Sequence, residues 1–259
     1  MNFLDAVDVP DAPLTGSLYG VGVGPGDPDL MTRRAIRVIE RVPVVAHFAA
    51  RRRSGNSLRT IESSLRPDQV VERLEYPVTT ESISPEQYRE ALDGFYADSA
   101  RRLSDHLDAG RDVAIVSEGD PLFYGSYMHL HVRLAHRYPT EVVPGVTAFS
   151  AACAAAGTPI VSSDERFTVL PGILPPTELE VALGGDDAVV VMKVGRHLDA
   201  VAAALRATGR ADGAVYVERA SFPEQRIAPI DDVDGVDAPY FSVVLVPGQR
   251  MAATVPVRA

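Results

Sequence analysis

The sequence predicts an α/β protein of two domains, with a mainly parallel first sheet and a mixed second sheet. Three observations predict it. The chain opens as strand, helix, strand, the pattern of a βαβ unit. Two apolar runs, around Val113–Val116 and Glu141–Val143, stop at Pro/Gly turns, as buried strands do when they deliver tight loops. Late in the chain, strands follow one another without helices, which implies antiparallel pairs.

Residues 1–16 are rich in Asp and Pro and lack periodicity, so they read as a loose arm. The first domain is expected over 17–137. Ser17–Val23 is its first strand and runs into Gly24-Pro25-Gly26-Asp27-Pro28. Asp27 suits a cap, with Pro28 in the first turn, for a helix reaching about Arg41. Strands are expected at Val42–Phe48 and Val70–Tyr76, with a helix at Ser57–Leu65 between them. Ser84-Pro85-Glu86-Gln87 carries a capping-box pattern, and Gly110 marks the end of the long helix that follows. Asp112–Val116 is the next strand, and Tyr127–His136 a helix.

The second domain is expected over 138–259. Its strands fall near Glu141–Val143, Phe167–Leu170, Ala188–Val194, Ala214–Glu218, Gln225–Pro229 and Phe241–Val246. Its helices fall near Thr147–Ala156, Pro176–Leu183 and His197–Ala207. The uncharged stretch Val142–Ser163 approaches membrane-spanning length, but Pro144, Gly145, Gly157 and Pro159 break it into loop, short helix and loop.

Composition excludes several classes. A net charge of −10, from 35 acidic and 25 basic residues, argues against nonspecific nucleic-acid binding. The single cysteine, Cys153, permits no internal disulfide framework and fits a reducing cytoplasm. The first residues lack the basic and apolar regions of a secretory signal. No His/Cys cluster has metal-ligand spacing, so no protein-bound metal is expected.

Three loops suit a ligand. Gly20–Gly26 fails the dinucleotide fingerprint, because the required third Gly falls on Pro25 or Asp27; its glycines permit a tight turn and close approach. Gly119-Asp120-Pro121 offers a carboxylate and amides for ribose hydroxyls or an amino-acid group, or Asp120 simply caps its turn. Thr147-Ala148 offers a hydroxyl and amides at a helix start for a carboxylate, or Thr147 is a plain cap. In an open α/β sheet such loops at the carboxyl ends of strands bind ligands.

Taken in order, G-x-G-P-G-D-P, G-D-P-x-x-Y-G, P-G-V-T-A, an apolar strand ending in Met, and V-E-R-A-S resemble the S-adenosylmethionine-dependent tetrapyrrole methylases. The resemblance spans about Leu18 to Val246. It implies two α/β domains with S-adenosylmethionine in the cleft between them, and a homodimer. By position it assigns donor contacts to Pro25, Gly119, Asp120, Phe123, Thr147, Ala148, Met192 and Ala220. Cys153 is expected to be inert core.

Tyr76–Glu81, Ser162–Gly172 and Tyr240-Phe241-Ser242 are similar to the branch of the family that methylates C20 of precorrin-2 or cobalt-factor II in cobalamin synthesis. Uroporphyrinogen-III methylases place an Asp where this chain has Phe48, which counts against that branch. On this resemblance the substrate is a carboxylate-rich tetrapyrrole. Arg51, Arg52, Arg53 and Arg219 are the candidates to hold its carboxylates, the run at 51–53 being equally readable as a solvated loop. His47, Glu118, Tyr124 and His129 are the candidate proton acceptors, each also readable as a structural group. Methylation of another tetrapyrrole carbon or of another substrate is an alternative, as is a non-catalytic module that binds donor or tetrapyrrole.

Overall fold

The structure, a computed structural model, describes residues 15–51, 55–77, 84–235 and 238–249. The chain folds as two compact units. Among the described residues, one comprises 15–23 together with the residues from Met31 to Gly145, and the other comprises Gly24–Leu30 and the residues from Val146 on; the arm expected over 1–16 lies outside the described residues up to position 14.

The first unit contains β1 (Leu18–Gly22), α1 (Arg33–Arg41), β2 (Val44–Ala49), α2 (Asn56–Ile61), β3 (Val70–Glu75), α3 (Pro85–Asp108), β4 (Val113–Ser117), α4 (Tyr127–Leu134) and β5 (Thr140–Val143). Its five strands are ordered β3-β2-β4-β1-β5, and every pair is parallel. A parallel sheet must be covered on both faces. One face packs on α1 and α2 through Ala35, Val38, Ile39 and Ile61 against Tyr19, Val21, Val45 and Val116. The other packs on α3 and α4 through Leu103, Leu107, Tyr127 and Leu130 against Leu18, Val44, Val113 and Ile115.

Gly20 faces α4, where a Cβ would lie 2.2 Å from Tyr127 Cζ. α3 begins with the expected reciprocal capping box of Ser84 and Gln87. α1 does not begin at Asp27. Pro28–Leu30 forms a separate one-turn 3-10 helix, and the Thr32 hydroxyl caps α1 by accepting from the Ala35 amide. Asp27 instead accepts from the Asp29 amide at 2.9 Å. β5 pairs with β1, so a strand expected in the second sheet completes the first. Four residues are too few to reveal from sequence which sheet will hydrogen-bond them.

The second unit contains α5 (Ala148–Ala156), β6 (Phe167–Pro171), α6 (Pro176–Leu183), β7 (Ala188–Met192), α7 (Leu198–Ala207), β8 (Val215–Glu218), β9 (Arg226–Pro229) and β10 (Ser242–Val246). The strand order is β6-β7-β10-β8-β9. β6 and β7 are parallel and the other pairs antiparallel, which is the expected mixed sheet. α6 and α7 cover one face. α5 packs on the other, with Ala152 against Val190, Val217 and Val243. α5 ends at Gly157, in the left-handed conformation with φ 61°. Among the described residues no helix is long and apolar enough to cross a membrane.

Candidate functional site

In the first unit the chain leaves β1 towards β2 and leaves β4 in the opposite direction, towards β5. The reversal lies between β1 and β4, and the loops at their carboxyl ends are where such sheets bind ligands. The loop after β4 meets the loop after β5. Asp120 Oδ2 accepts from the Gly145 amide at 3.1 Å, and Oδ1 accepts from the Leu122 amide at 2.9 Å. Asp120 therefore caps its own turn and also ties two loops together.

Only glycine allows this approach. A Cβ on Gly145 would lie 2.1 Å from the Gly119 carbonyl oxygen, and one on Gly22 would lie 2.6 Å from the Gly145 nitrogen. Gly119 has φ 66°, and Tyr124, at the far side of the loop, has φ 55°, an uncommon conformation for a residue with a side chain. Phe123 packs edge-on against Tyr124, with ring centroids 5.1 Å apart.

Glu118 sits between β4 and this loop. Its Oε1 accepts from the Ser57 amide in the first turn of α2 at 3.0 Å. Burial pushes its carboxyl above the usual glutamate range. A raised carboxyl pKa in the fold means that its stabilising contribution is complete below the unfolded pKa and is lost as pH rises through the folded one. Glu118→Gln is therefore expected to gain thermal stability relative to the native chain as pH rises from the ordinary glutamate range towards neutrality. Paired melting curves across that range check it.

The other candidate proton acceptors are dispersed. His47 is buried in β2, with Nδ1 3.4 Å from the Phe48 carbonyl oxygen, and burial lowers its pKa, so it is neutral near pH 7. His129 is exposed on α4 and stacks on Tyr96, with centroids 4.2 Å apart. Tyr124 is exposed. Phe48 lies in an aromatic group with Tyr76, Phe95 and Tyr96. Arg51 is exposed in the turn after β2, while Arg52 and Arg53 lie outside the described residues, as do residues 78–81 of the Tyr76–Glu81 motif.

In the second unit the segment carrying Pro25 packs on the loop after β8, which carries Ala220. The Asp27 amide donates to Ser221 Oγ at 3.1 Å, and a Cβ on Gly26 would lie 2.2 Å from the Phe222 ring. Arg219 and Ser221 adopt positive φ on either side of Ala220. Arg219 is exposed, with Nη1 3.8 Å from Glu218 Oε1. The neighbouring Tyr216 donates to Glu218 Oε2 at 3.1 Å, and its phenol is pushed up to about 12, first by burial and then by that carboxylate.

Ala148, Met192 and Ala220 pack against one apolar cluster on the α5 face of the second sheet. Thr147 caps α5, its Oγ1 accepting from the Ser150 amide at 3.4 Å. Cys153 packs with the same cluster, and burial raises its thiol pKa, which keeps it protonated. Among the described residues no group of three His, Cys, Asp or Glu is placed to hold a metal. The ties Glu118–Ser57 and Asp27–Ser221 are not legible in the sequence. Their partners are 61 and 194 residues apart, and no local pattern marks them.

Residues 17–234 match the family model described as Tetrapyrrole (Corrin/Porphyrin) Methylases. The cobalamin biosynthesis protein CobIJ of Mycobacterium tuberculosis is 51% identical over 239 residues, covering 92% of this chain and 47% of that protein. The chain thus spans about half the length of the CobIJ relatives it matches. Precorrin-2 C(20)-methyltransferase of a Sinorhizobium species is 49% identical over 236 residues, covering 91% of this chain and 96% of that protein. A solved structure of the cobalt precorrin-4 methyltransferase CbiF has the same fold, with TM-score 0.68 at 23% identity over 89% of this chain and 94% of that one. With two α/β units, glycine-bounded loops at the strand ends and a family match across most of its length, this chain belongs to the tetrapyrrole (corrin/porphyrin) methylases.

Proposed function

We propose that the chain transfers a methyl group from S-adenosylmethionine to C20 of precorrin-2, or of its cobalt form, in cobalamin synthesis. The 49% identity to the Sinorhizobium C(20)-methyltransferase, over 91% of this chain and 96% of that protein, carries this reading. The sulfonium donor supplies a methyl carbon that is already electrophilic. The protein's task is then to align it with a nucleophilic carbon, and placement alone contributes on the order of 7–11 kcal/mol.

Residues of both units fit that task. Gly119 and Gly145 keep backbone at the loops free of side chains, and Asp120 fixes their spacing. Ala148, Met192 and Ala220 offer a small apolar surface that is not fully buried. Pro25, Phe123 and Thr147 complete the proposed donor contacts. In the reaction a C20–methyl bond forms as the sulfur–methyl bond breaks. The sulfur keeps the electron pair, and the C20 proton leaves to water or to a side chain. Glu118, Tyr124 and His129, which flank or follow the Gly119 loop, are the side chains proposed for that step; His47 is enclosed in β2.

Carboxylate groups of the macrocycle are proposed to meet Arg51, Arg52, Arg53 and Arg219, whose planar guanidinium groups bind carboxylates bidentately. Replacing Arg51, Arg52 and Arg53 together by Ala is expected to raise the KM for the tetrapyrrole about tenfold. Donor affinity, read by calorimetry, should be unchanged; equal loss of both contradicts the assignment. A cytoplasmic homodimer without a resident metal is part of the proposal, and light scattering after size exclusion checks its mass. Turnover of metal-free precorrin-2 beside cobalt-factor II tests the activity and assigns the preferred substrate. Transfer to neither macrocycle would refute it.

A further inference from the structure

Beyond the donor contacts, the first unit holds three hydroxyl groups that the proposed chemistry does not use. Ser126 directly follows the Gly119–Gly125 loop and occupies the N-cap position of α4. A serine there ordinarily caps its helix. This one has helical φ −65° and ψ −21° and makes no side-chain cap bond. Its hydroxyl is held instead by two phenols from distant parts of the chain. Tyr96 OH, on α3, donates to Ser126 Oγ at 3.2 Å, and Tyr76 OH, just after β3, hydrogen-bonds the same oxygen.

Both phenols are fixed in place. Tyr96 is buried and Tyr76 partly so. Tyr76 packs on Phe48 and Phe95, with centroids 5.8 and 5.0 Å away. Burial pushes both phenols up, so they stay protonated and act as hydrogen-bonding groups at neutral pH. The loop is thus anchored at both ends. Asp120 ties its start to Gly145, and the phenols tie the residue after its end to β3 and α3. Between the anchors lies Tyr124, with φ 55°, a conformation that persists only where its surroundings enforce it.

We propose that Tyr76, acting through Ser126 with Tyr96 beside it, is the positioning residue that holds the Gly119–Gly125 loop in its donor-binding conformation. The proposal rests on the reading of that loop as a donor contact. Tyr76→Phe keeps the ring packing and removes the hydroxyl. It is expected to raise the KM for the donor about tenfold, in keeping with one partly buried hydrogen bond lost and a loosened loop. Ser126→Ala, which releases Tyr96 as well, should cost at least as much, and the double variant should be little worse than Ser126→Ala alone, since removing the serine already breaks the Tyr76 linkage.

Tyr138→Phe is the control. Tyr138 is buried, as Tyr96 is, and donates to Asp108 Oδ1 at 2.7 Å, at the far end of α3. Its loss should lower the melting temperature and leave the donor KM unchanged. Native protein that neither binds nor uses the donor would sink the underlying reading. Active native protein, with Tyr76→Phe and Tyr138→Phe affecting the donor KM equally or with the two loop variants fully additive, would overturn the positioning role.

Discussion

Replacing Asp120 by Ala is expected to lower kcat/KM for the methyl donor by about 100-fold or more. The native carboxylate accepts two backbone amides, from Leu122 and Gly145. Hydrogen bonds to a charged acceptor contribute about 1.5–3 kcal/mol each; removing the acceptor breaks both, and the partly buried Gly145 amide is the one that water replaces least well. Each 1.36 kcal/mol is tenfold. The loss falls on activity because these amides lie on the two loops whose spacing Asp120 sets. Asp120→Asn keeps one acceptor oxygen but turns an amino group towards the other amide, so an intermediate loss of about tenfold is expected. Steady-state kinetics with varied donor distinguish the two variants. An Asp120→Ala enzyme with native kcat/KM would show that the loops hold their spacing without it.

Replacing Gly20 by Ala is expected to destabilise the first unit by about 3 kcal/mol or more. Gly20 is the central residue of β1, between β4 and β5. Its added Cβ would meet Tyr127 Cζ at 2.2 Å, and Tyr127 is fully buried, with its hydroxyl 3.0 Å from His131 Nδ1. The ring cannot retreat without moving α4, the helix that follows the Gly119 loop. Gly94→Ala supplies the contrast. Gly94 lies mid-helix in α3, where an added Cβ meets nothing within 4 Å, so the same chemical change should stabilise by about 1 kcal/mol. Denaturant melts of both variants should shift in opposite directions.

These two glycines also mark what sequence can and cannot disclose. Their identity is visible at once, but the opposite consequence of a methyl group depends on whether a distant side chain lies against it, Tyr127 for Gly20 and nothing within 4 Å for Gly94. Much of the local chemistry is legible in the sequence. The Ser84–Gln87 capping box, the glycine ends of α3 and α5, the βαβ opening and the Pro/Gly loops after β4 and β5 all arise from interactions within a few residues. The cap of α1 is the exception, because Asp27 and Thr32 both precede the apolar pattern. Only the three-dimensional path shows that Asp27 closes its own turn while Thr32 reaches the Ala35 amide.

Position in the sheet was similarly hidden. β5 reads as an isolated four-residue strand, and its pairing with β1 is a long-range choice. The loop motifs drew attention to Asp120 and Gly145 separately. Their hydrogen bond across 25 residues joins them, as the Tyr76–Ser126 linkage does across 50. Neither linkage has a periodic or compositional signature.

The most direct test of the central claim is the position of the transferred carbon. The purified chain would receive S-adenosylmethionine carrying a 13C methyl group, together with precorrin-2, and the product would be examined by carbon NMR and mass spectrometry. One added methyl group, with its label on C20, is the predicted result. Label on any other ring carbon, or donor binding with no transfer to precorrin-2 or cobalt-factor II, would contradict it.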